Sequence, residues 1–364
     1  MFPEARIDVA LRTDRGRVAE VSVRSTRMIQ AARLFAGRLP EEVAALLPSV
    51  FSLCGAAQKV ACVAAVEAAG GRAPSPAQAT LRRVDVLAET VAEHGLAVIR
   101  DWPALGGETA DLAPAKALRV AMASIRGHGP QGVATAAEAL AEILGAPLDA
   151  IVASADSFAG WMDGRASPAA RLLSGIVRDG LAGFGAATFR PMPAGGPADL
   201  EPRLAEDHDG RYAAAPDSLG TVFETGPLAR QASHPVVATV TEDHGGGLLA
   251  RMAARLVDMA SALRDLGQLV QDLPDEPVAA PPLGAGTGVG VVEAARGLLA
   301  HRIELEDGRV KSYRILAPTE WNFHPAGPLA AGLTGAPAED GLERRARLLV
   351  HALDPCVACT VTVE

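Results

Sequence analysis

The chain has 364 residues, 49% of them apolar, which is enough to bury the core of one large domain or two ordinary ones. Its net charge of −9 excludes the global positive field that recruits nucleic acid or an anionic membrane surface. Residues 1–17 lack the pattern of a signal peptide, and no stretch reaches the roughly 18 apolar residues of a membrane-spanning helix, so we expect a cytoplasmic protein.

The first elements along the chain are a predicted β-hairpin and a series of predicted helices. Over residues 5–24, Ile7, Val9 and Leu11 alternate ahead of a turn at Asp14–Gly16. From about residue 40 the apolar residues recur at three- and four-residue spacing, which is typical of helices that bury one face. Five Ala-rich stretches have this pattern: 54–70, 76–99, 112–126, 131–145 and 167–181.

The remaining part of the chain alternates between loop-like and regular segments. Residues 191–220 and 271–290 are dense in Pro, Gly and Asp and predict long loops. The regular segments are a helix over 248–272, a hairpin formed by His301–Leu305 and Val310–Leu316, and a helix over 341–352. The pattern predicts an α+β fold that is mainly helical, with small peripheral β-hairpins and no internal repeat.

Three of the four cysteines are candidate metal ligands. Cys356 and Cys359 form DPCVAC, whose spacing lets two thiolates face one ion after the turn at Pro355. Cys54 lies at the start of a predicted helix, where unpaired backbone N–H groups favour a thiolate. A lone CxxC is also typical of a local zinc clip, so that alternative stays open on the spacing alone.

The fourth cysteine, Cys62, is predicted to be a buried core residue. It lies eight residues after Cys54 on the same predicted helix, a rise of about 12 Å. Two thiolates on one tetrahedral zinc lie only about 4 Å apart. A four-cysteine zinc site is therefore disfavoured by geometry.

The two cysteine motifs and five further segments resemble, in the same order, the large subunits of nickel-iron hydrogenases. That family has one CxxC pair near each end of the chain, the first in RxCGxCxxxH and the last in DPCxxCxxH. The matching segments are RIDVALR (6–12), CGAA (54–57) with DPCVAC (354–359), EHGLAVIRDWP (93–103), ETGPLAR (224–230), EAARGLLAHRIELEDGRVKSYRI (293–315) and APTEWNFHP (317–325). The resemblance implies a single domain over 1–364 with a large-subunit-like helical core.

The first cysteine pair departs from the hydrogenase pattern. Ala57 stands in place of the second cysteine, which bridges nickel and iron in the enzymes. Ser52 replaces the preceding Arg, and Ala61 replaces the following His. Because a methyl group cannot donate electrons to a metal, we expect no nickel and no bimetallic centre.

Both ends of the chain depart as well. The proton-relay Glu of the enzymes' RxEGH segment has no counterpart at the aligned residue, Phe2. Thr362 stands where the enzymes have a His after the last cysteine, and the sequence stops at Glu364, so we expect no cleavable extension. These departures predict a chain that is not an enzyme.

The groups that remain define the candidate site. By resemblance, Cys54, Cys356 and Cys359 are the metal-binding residues, and Arg296 is the guanidinium that overhangs the metal. Asp354 matches a carboxylate outside the ligand sphere that can fix Arg296. A guanidinium suits the nitrogens of cyanide ligands on an iron ion, which are strong hydrogen-bond acceptors. His94, His301 and His324 lie in matched segments and are expected to be structural.

Within that family the chain resembles the hydrogenase expression/formation proteins of the HupK/HoxV type. The resemblance implies a non-catalytic maturation scaffold that transiently binds iron as the Fe(CN)2CO fragment. The implied partners are a chaperone of the HypC type, its iron-binding partner of the HypD type and a hydrogenase large-subunit precursor. Two alternatives stay open at this point: an atypical hydrogenase-like oxidoreductase and a metal-free adaptor for the maturation proteins.

Overall fold

The structure is a computed structural model that describes residues 5–27, 29–187, 190–273 and 286–364. Phe2, which was aligned with the proton-relay segment, lies outside these residues. The described chain divides into two compact units: one formed by Met1–Arg82, Phe189–Gly226 and Asp275–Glu364, the other by Arg83–Thr188 and Pro227–Pro274. We call them unit 1 and unit 2. The single domain expected from the sequence stays a prediction.

Helices are the main regular structure of the described chain, as predicted. In chain order they are α1 Pro40–Val50, α2 Gly55–Ala69, α3 Pro76–Leu96, α4 Trp102–Leu105, α5 Ala113–Ala123, α6 Ile125–Leu144, α7 Leu148–Ile151, α8 Ala155–Gly164, α9 Pro168–Arg178, α10 Leu200–Glu206, α11 Arg211–Ala214, α12 Pro227–Gln231, α13 Pro235–His244, α14 Leu248–Leu269, α15 Pro318–Asn322, α16 Pro328–Leu333 and α17 Leu342–Leu353. Short 3₁₀ segments cover Ile29–Phe35 and Val270–Asp272, and a π-helical turn covers Ala97–Asp101. In the described ranges, no helix combines the length and apolar character needed to cross a membrane.

Two three-stranded sheets complete unit 1. The strands are β1 Arg6–Asp14, β2 Arg17–Ser25, β3 Gly286–Ala294, β4 Gly297–Glu306, β5 Arg309–Leu316 and β6 Ala358–Val363. The first sheet has the order β2-β1-β6, and the second has the order β3-β4-β5. Both predicted hairpins are confirmed, as β1–β2 and β4–β5.

Each sheet has one strand that the sequence analysis did not predict. β6 pairs in parallel with β1, with Cys359 opposite Ile7, so the two ends of the chain meet in one sheet. β3 includes residues 286–290, where a loop was predicted. β4 is buried along nearly its whole length, so the second sheet belongs to the interior of unit 1.

The predicted loops are partly wrong, and several helices were not predicted. Residues 191–220 contain α10 and α11, and 274–285 of the other predicted loop lie outside the described residues. Two helices of ten residues that were not predicted, α8 and α13, are both in unit 2. The short helices α4, α7, α12, α15 and α16 were not predicted either. α14 confirms the helix expected over 248–272 and is buried on almost every face, which is typical of a helix at the centre of a core.

The close packing of α2 on β3 places the start of α2 in unit 1. A Cβ atom at Gly288 or Gly290 would overlap the backbone of Ala65 or Ala61 in α2. Glycine at these two positions therefore allows the strand to lie directly against the helix backbone. α2 also packs against α1, and a buried cluster joins Leu47 of α1, Cys62 of α2 and Tyr313 of β5.

Candidate functional site

A cavity of about 500 Å³ in unit 1 collects most of the predicted site residues. Cys54 lies at its wall as the residue that precedes α2, and Arg296 reaches it from the tight turn between β3 and β4. Cys356 reaches it from the segment between α17 and β6. Residues from opposite ends of the chain thus share one small space.

Local backbone geometry explains how Cys356 arrives there. Asp354 ends α17 in the left-handed conformation, with φ of 56°. Aspartate tolerates this conformation better than most residues because its short polar side chain can bond locally. Pro355 then prevents the helix from continuing. The chain therefore turns sharply at the two residues before Cys356.

Arg296 and Asp354 form an ion pair at the cavity, with Nε and Oδ2 3.3 Å apart. Their side chains are only 10% and 14% exposed. An ion pair this sheltered holds both groups in place, since separating them would leave a charge without its partner in a low-dielectric setting. Asp354 is thus placed where the resemblance implies it should be, beside the guanidinium.

A second guanidinium, that of Arg27, lies against the Cys356 sulfur. Arg27 follows β2, and its Nη1 donates to Cys356 Sγ at 2.9 Å while its Nε lies 3.4 Å from Glu320 Oε1. Burial works to lower the pKa of Arg27, but Cys356, Glu320 and Cys54 outweigh it and hold that pKa above its usual value. Arg27 therefore stays cationic beside the sulfur.

Two further side chains complete the polar surroundings of the sulfurs. Thr319 Oγ1 lies 3.2 Å from Cys356 Sγ, and Gln58 Nε2 donates to Cys54 Sγ at 3.5 Å. Glu320 is buried, and burial raises the pKa of its carboxyl against the opposing effect of Arg27. The site thus contains two thiol-bearing residues, two guanidinium groups and the carboxylates paired with them.

Cys359 is not brought to this cavity in the part of the chain that the structure describes. It lies on β6, and burial together with the nearby Asp8 carboxylate raises the pKa of its thiol to about 12. Among residues 5–27, 29–187, 190–273 and 286–364, no group of three or more His, Cys, Asp or Glu side chains is arranged to hold a metal ion. The three-cysteine ligand set is not preassembled and stays a prediction.

Apolar side chains occupy the positions where the enzymes carry two of their functional groups. Ala57 and Ala61 are fully buried on α2 and form one cluster with Ala294, Leu299 and Ala317. The last three of these also line the cavity. Ala57 and Ala61 therefore lie in the same apolar cluster as this part of the cavity wall, and neither of them lines the cavity.

The comparisons with known proteins identify the family. A family model described as nickel-dependent hydrogenase matches residues 198–362. The hydrogenase expression/formation protein HupK of Rhizobium leguminosarum bv. viciae is 34% identical over 380 residues, which covers 98% of this chain and 96% of that protein. The chain belongs to the HupK/HoxV family of hydrogenase expression/formation proteins.

Other relatives agree with this assignment to the HupK/HoxV family. HoxV of Cupriavidus necator is 31% identical over 354 residues, covering 91% of this chain and 90% of that protein. The Ni-Fe-Se hydrogenase from D. vulgaris Hildenborough has a TM-score of 0.64 at 17% identity and covers 94% of each chain. At that identity the match shows the fold alone, and it confirms the predicted large-subunit-like, mainly helical architecture.

Sequence reasoning missed four polar residues of the site in this HupK/HoxV-family chain. Thr319 and Glu320 lie within the quoted APTEWNFHP segment, and Gln58 follows CGAA, so the motifs bracketed them without indicating their contacts. Arg27 had no local signal, because its partner Cys356 is 329 residues away. Only the folded chain reveals that contact.

Proposed function

We propose that this chain is a non-catalytic scaffold that holds the Fe(CN)2CO fragment while the nickel-iron hydrogenase site is assembled. Its relatives are named hydrogenase expression/formation proteins, which describes a role in hydrogenase maturation. The observation that carries the finer proposal is the cavity in which Cys54 and Cys356 lie together with two guanidinium groups. The fragment is cargo, bound and then passed on.

The chemistry of the cavity suits this cargo. Iron that holds two cyanides and one carbonyl keeps at most three open positions in octahedral geometry, and soft thiolates are suitable donors to it. Arg27 and Arg296 offer several N–H donors to cyanide nitrogens. The hydrocarbon wall around Leu299 and Ala317 provides an apolar surface against which a carbonyl ligand can lie. Each ligand type of the fragment thus has a matching surface.

The absence of a bridging thiolate at position 57 favours a carrier over a finished enzyme. The Ala57 side chain is buried among apolar neighbours and offers no donor to a second metal. Fewer metal–sulfur bonds also mean a weaker hold on iron, which suits a protein that must release its cargo. An atypical hydrogenase would need a nickel site that these residues do not provide.

The proposed partners follow from the same role. A chaperone of the HypC type with its HypD-type partner would supply the fragment, and a large-subunit precursor would receive it. Arg27 donates to the Cys356 sulfur through one of its nitrogens, so its other N–H groups can turn toward a cyanide that arrives at that sulfur. A positive group then lies next to the sulfur before and after loading.

Infrared spectroscopy tests the proposal. The chain is produced together with the maturation proteins and purified without oxygen, and we expect cyanide and carbonyl stretches in the purified protein. Cys54→Ser and Cys356→Ser should abolish them because each removes a thiolate at the cavity, whereas Cys359→Ser measures whether a third thiolate takes part.

Cys62→Ser is the matched control, since Cys62 does not line the cavity and serine keeps a polar hydroxyl group at this buried position. It should keep the stretches. Their absence from the unmodified chain, or their persistence when Cys54 and Cys356 are both replaced, would contradict the scaffold and favour the metal-free adaptor. Bound nickel with hydrogen-dependent dye reduction would instead favour the oxidoreductase.

A further inference from the structure

A chain of buried polar side chains begins directly behind the Cys54 sulfur. Gln58 Nε2 lies 3.5 Å from Cys54 Sγ, and Gln58 Oε1 lies 2.9 Å from His301 Nε2. Gln58 is 1% exposed and His301 is fully buried. A buried amide keeps one orientation when both of its ends have partners.

The row of polar side chains continues away from the cavity to Cys62. His301 Nδ1 lies 2.7 Å from the Tyr313 hydroxyl, and the Tyr313 hydroxyl in turn interacts with the thiol of Cys62. Tyr313 and Cys62 are 1% and 0% exposed. Five side chains from α2, β4 and β5 thus form one continuous polar path through the core of unit 1.

The direction of these hydrogen bonds follows from the protonation states. Burial lowers the pKa of His301 to about 3, so at neutral pH its ring carries one N–H and one acceptor nitrogen. With the Gln58 carbonyl oxygen facing the ring, Nε2 is the donor of that hydrogen bond, and Nδ1 accepts from the Tyr313 O–H. Burial raises the pKa of Cys62 to about 11, so it remains a thiol at neutral pH.

We propose that Tyr313, His301 and Gln58 are positioning residues for Cys54. They fix the Gln58 side chain so that its NH2 group, and not its carbonyl oxygen, faces the sulfur. Cys54 Sγ then accepts a hydrogen bond and keeps its lone pairs for a metal, in the way that outer groups orient metal ligands in other proteins. The inference deepens the proposed function and rests on it only for the cargo that Cys54 binds.

The opposite arrangement would satisfy the same five groups. With the proton on His301 Nδ1, the imidazole would donate to Tyr313 and accept from the Gln58 NH2 group. Gln58 would then present its oxygen to Cys54, and the sulfur would have to be an S–H donor. The tautomer of His301 therefore decides between a sulfur prepared for metal and a sulfur that is not.

Nitrogen-15 NMR of the histidine rings in the full-length, metal-free chain at pH 7 tests the inference. We expect His301 to show a protonated Nε2 and an unprotonated Nδ1; its resonances are assigned by their loss in His301→Gln and by proximity to the Tyr313 ring. Gln58→Leu should move the proton to Nδ1, because Tyr313 is then the remaining partner. Tyr313→Phe should leave it on Nε2. A protonated Nδ1 in the unmodified chain overturns the proposal.

A second measurement uses the iron-loaded protein. Hydrogen-bond donation to a thiolate ligand withdraws electron density from iron, so Gln58→Leu should shift the carbonyl stretch to lower wavenumber. Lys59→Gln, at the exposed neighbouring position, should not shift it. An unshifted stretch in Gln58→Leu would contradict the positioning role. Absence of any carbonyl stretch would instead contradict the proposed function. The tautomer measurement would still decide whether Tyr313, His301 and Gln58 position Cys54.

Discussion

At the scale of single residues, each positive charge at the cavity has a carboxylate close by. Arg296 is 3.3 Å from Asp354, and Arg27 is 3.4 Å from Glu320, in side chains that are at most 14% exposed. Sheltered charges of this kind are retained only where partners offset the loss of hydration. The two pairs therefore keep the cavity close to neutral and ready for a charged complex.

His301 makes the stability of the protein depend on pH. Its pKa falls from 6.5 to about 3 because burial disfavours the imidazolium, so below pH 6.5 the unfolded chain binds a proton that the folded chain does not. The contribution of neutral His301 to the free energy of unfolding is complete above pH 6.5 and is lost as the pH falls toward 3. Between pH 7 and pH 5 we expect it to contribute a loss of about 2 kcal/mol in the free energy of unfolding.

Urea unfolding of the unmodified chain and of His301→Gln at both pH values checks this expectation. The variant should show a smaller decrease between pH 7 and pH 5, because glutamine does not titrate. His128→Gln is the control, since His128 lies on the surface, and it should leave the decrease unchanged. Equal decreases in the unmodified chain and in His301→Gln would show that the buried imidazole does not titrate as argued.

At the scale of secondary-structure elements, the contact between β3 and α2 sets the position of the Cys54 end of the helix. Gly290 lies against the backbone of Ala61, and Gly288 against that of Ala65. A helix held through its own backbone has less freedom to shift than one held by flexible side chains. The glycines of β3 therefore act on the site although none of them lies in it.

Gly290→Ala should destabilise the protein by about 1–3 kcal/mol, because the added methyl group overlaps the α2 backbone and forces the two elements apart. The same displacement should lower the amount of Fe(CN)2CO fragment that the protein retains, and with it the intensity of the cyanide and carbonyl stretches. Thermal unfolding measures the first effect and infrared intensity the second. Gly160→Ala in α8 is the matched control: a Cβ there meets no neighbouring atom, and alanine should stabilise the helix by up to about 1 kcal/mol.

The elements show how far sequence reasoning reaches. The alternation at Ile7, Val9 and Leu11 and the periodicity of α2 and α14 are local signals, and each predicted the observed element. β6 was missed although Thr360 to Val363 has the alternating β-branched pattern of a strand, because the CxxC motif was interpreted only as a metal-binding turn. β3 was missed because its glycines resemble those of a loop.

The sequence predicted the cavity residues that lie in motifs but not those whose contacts depend on packing. Cys54, Cys356, Arg296 and Asp354 could be found because each lies in a motif that resembles the hydrogenases. Arg27 could not, since its contact with Cys356 depends on how distant parts of the chain pack. Local spacing encodes the shape of one element but not which remote element it will contact.

At the scale of the whole molecule, the candidate site requires both ends of the chain. β1 and β6 are neighbours in one sheet, and residue pairs such as Arg6 with Ala358 are joined in register. Closing so long a loop costs chain entropy that must be offset by the contacts formed at its ends. The cavity can therefore form only after Cys356 and Val357, which line it, have been synthesised.

Removal of residues 358–364 should accordingly disrupt more than the last cysteine. Loss of β6 leaves the β1 edge unpaired and removes the buried Val361 from the sheet. We expect a lower unfolding temperature and faster proteolysis of the N-terminal hairpin, followed by limited digestion and mass spectrometry. Val363→Ser is the control, because that side chain is 43% exposed and its replacement should change stability by no more than about 0.5 kcal/mol. A truncated chain as resistant to proteolysis as the chain that retains residues 358–364 would mean that β1 and β2 hold their structure, and Arg27 its place, without β6.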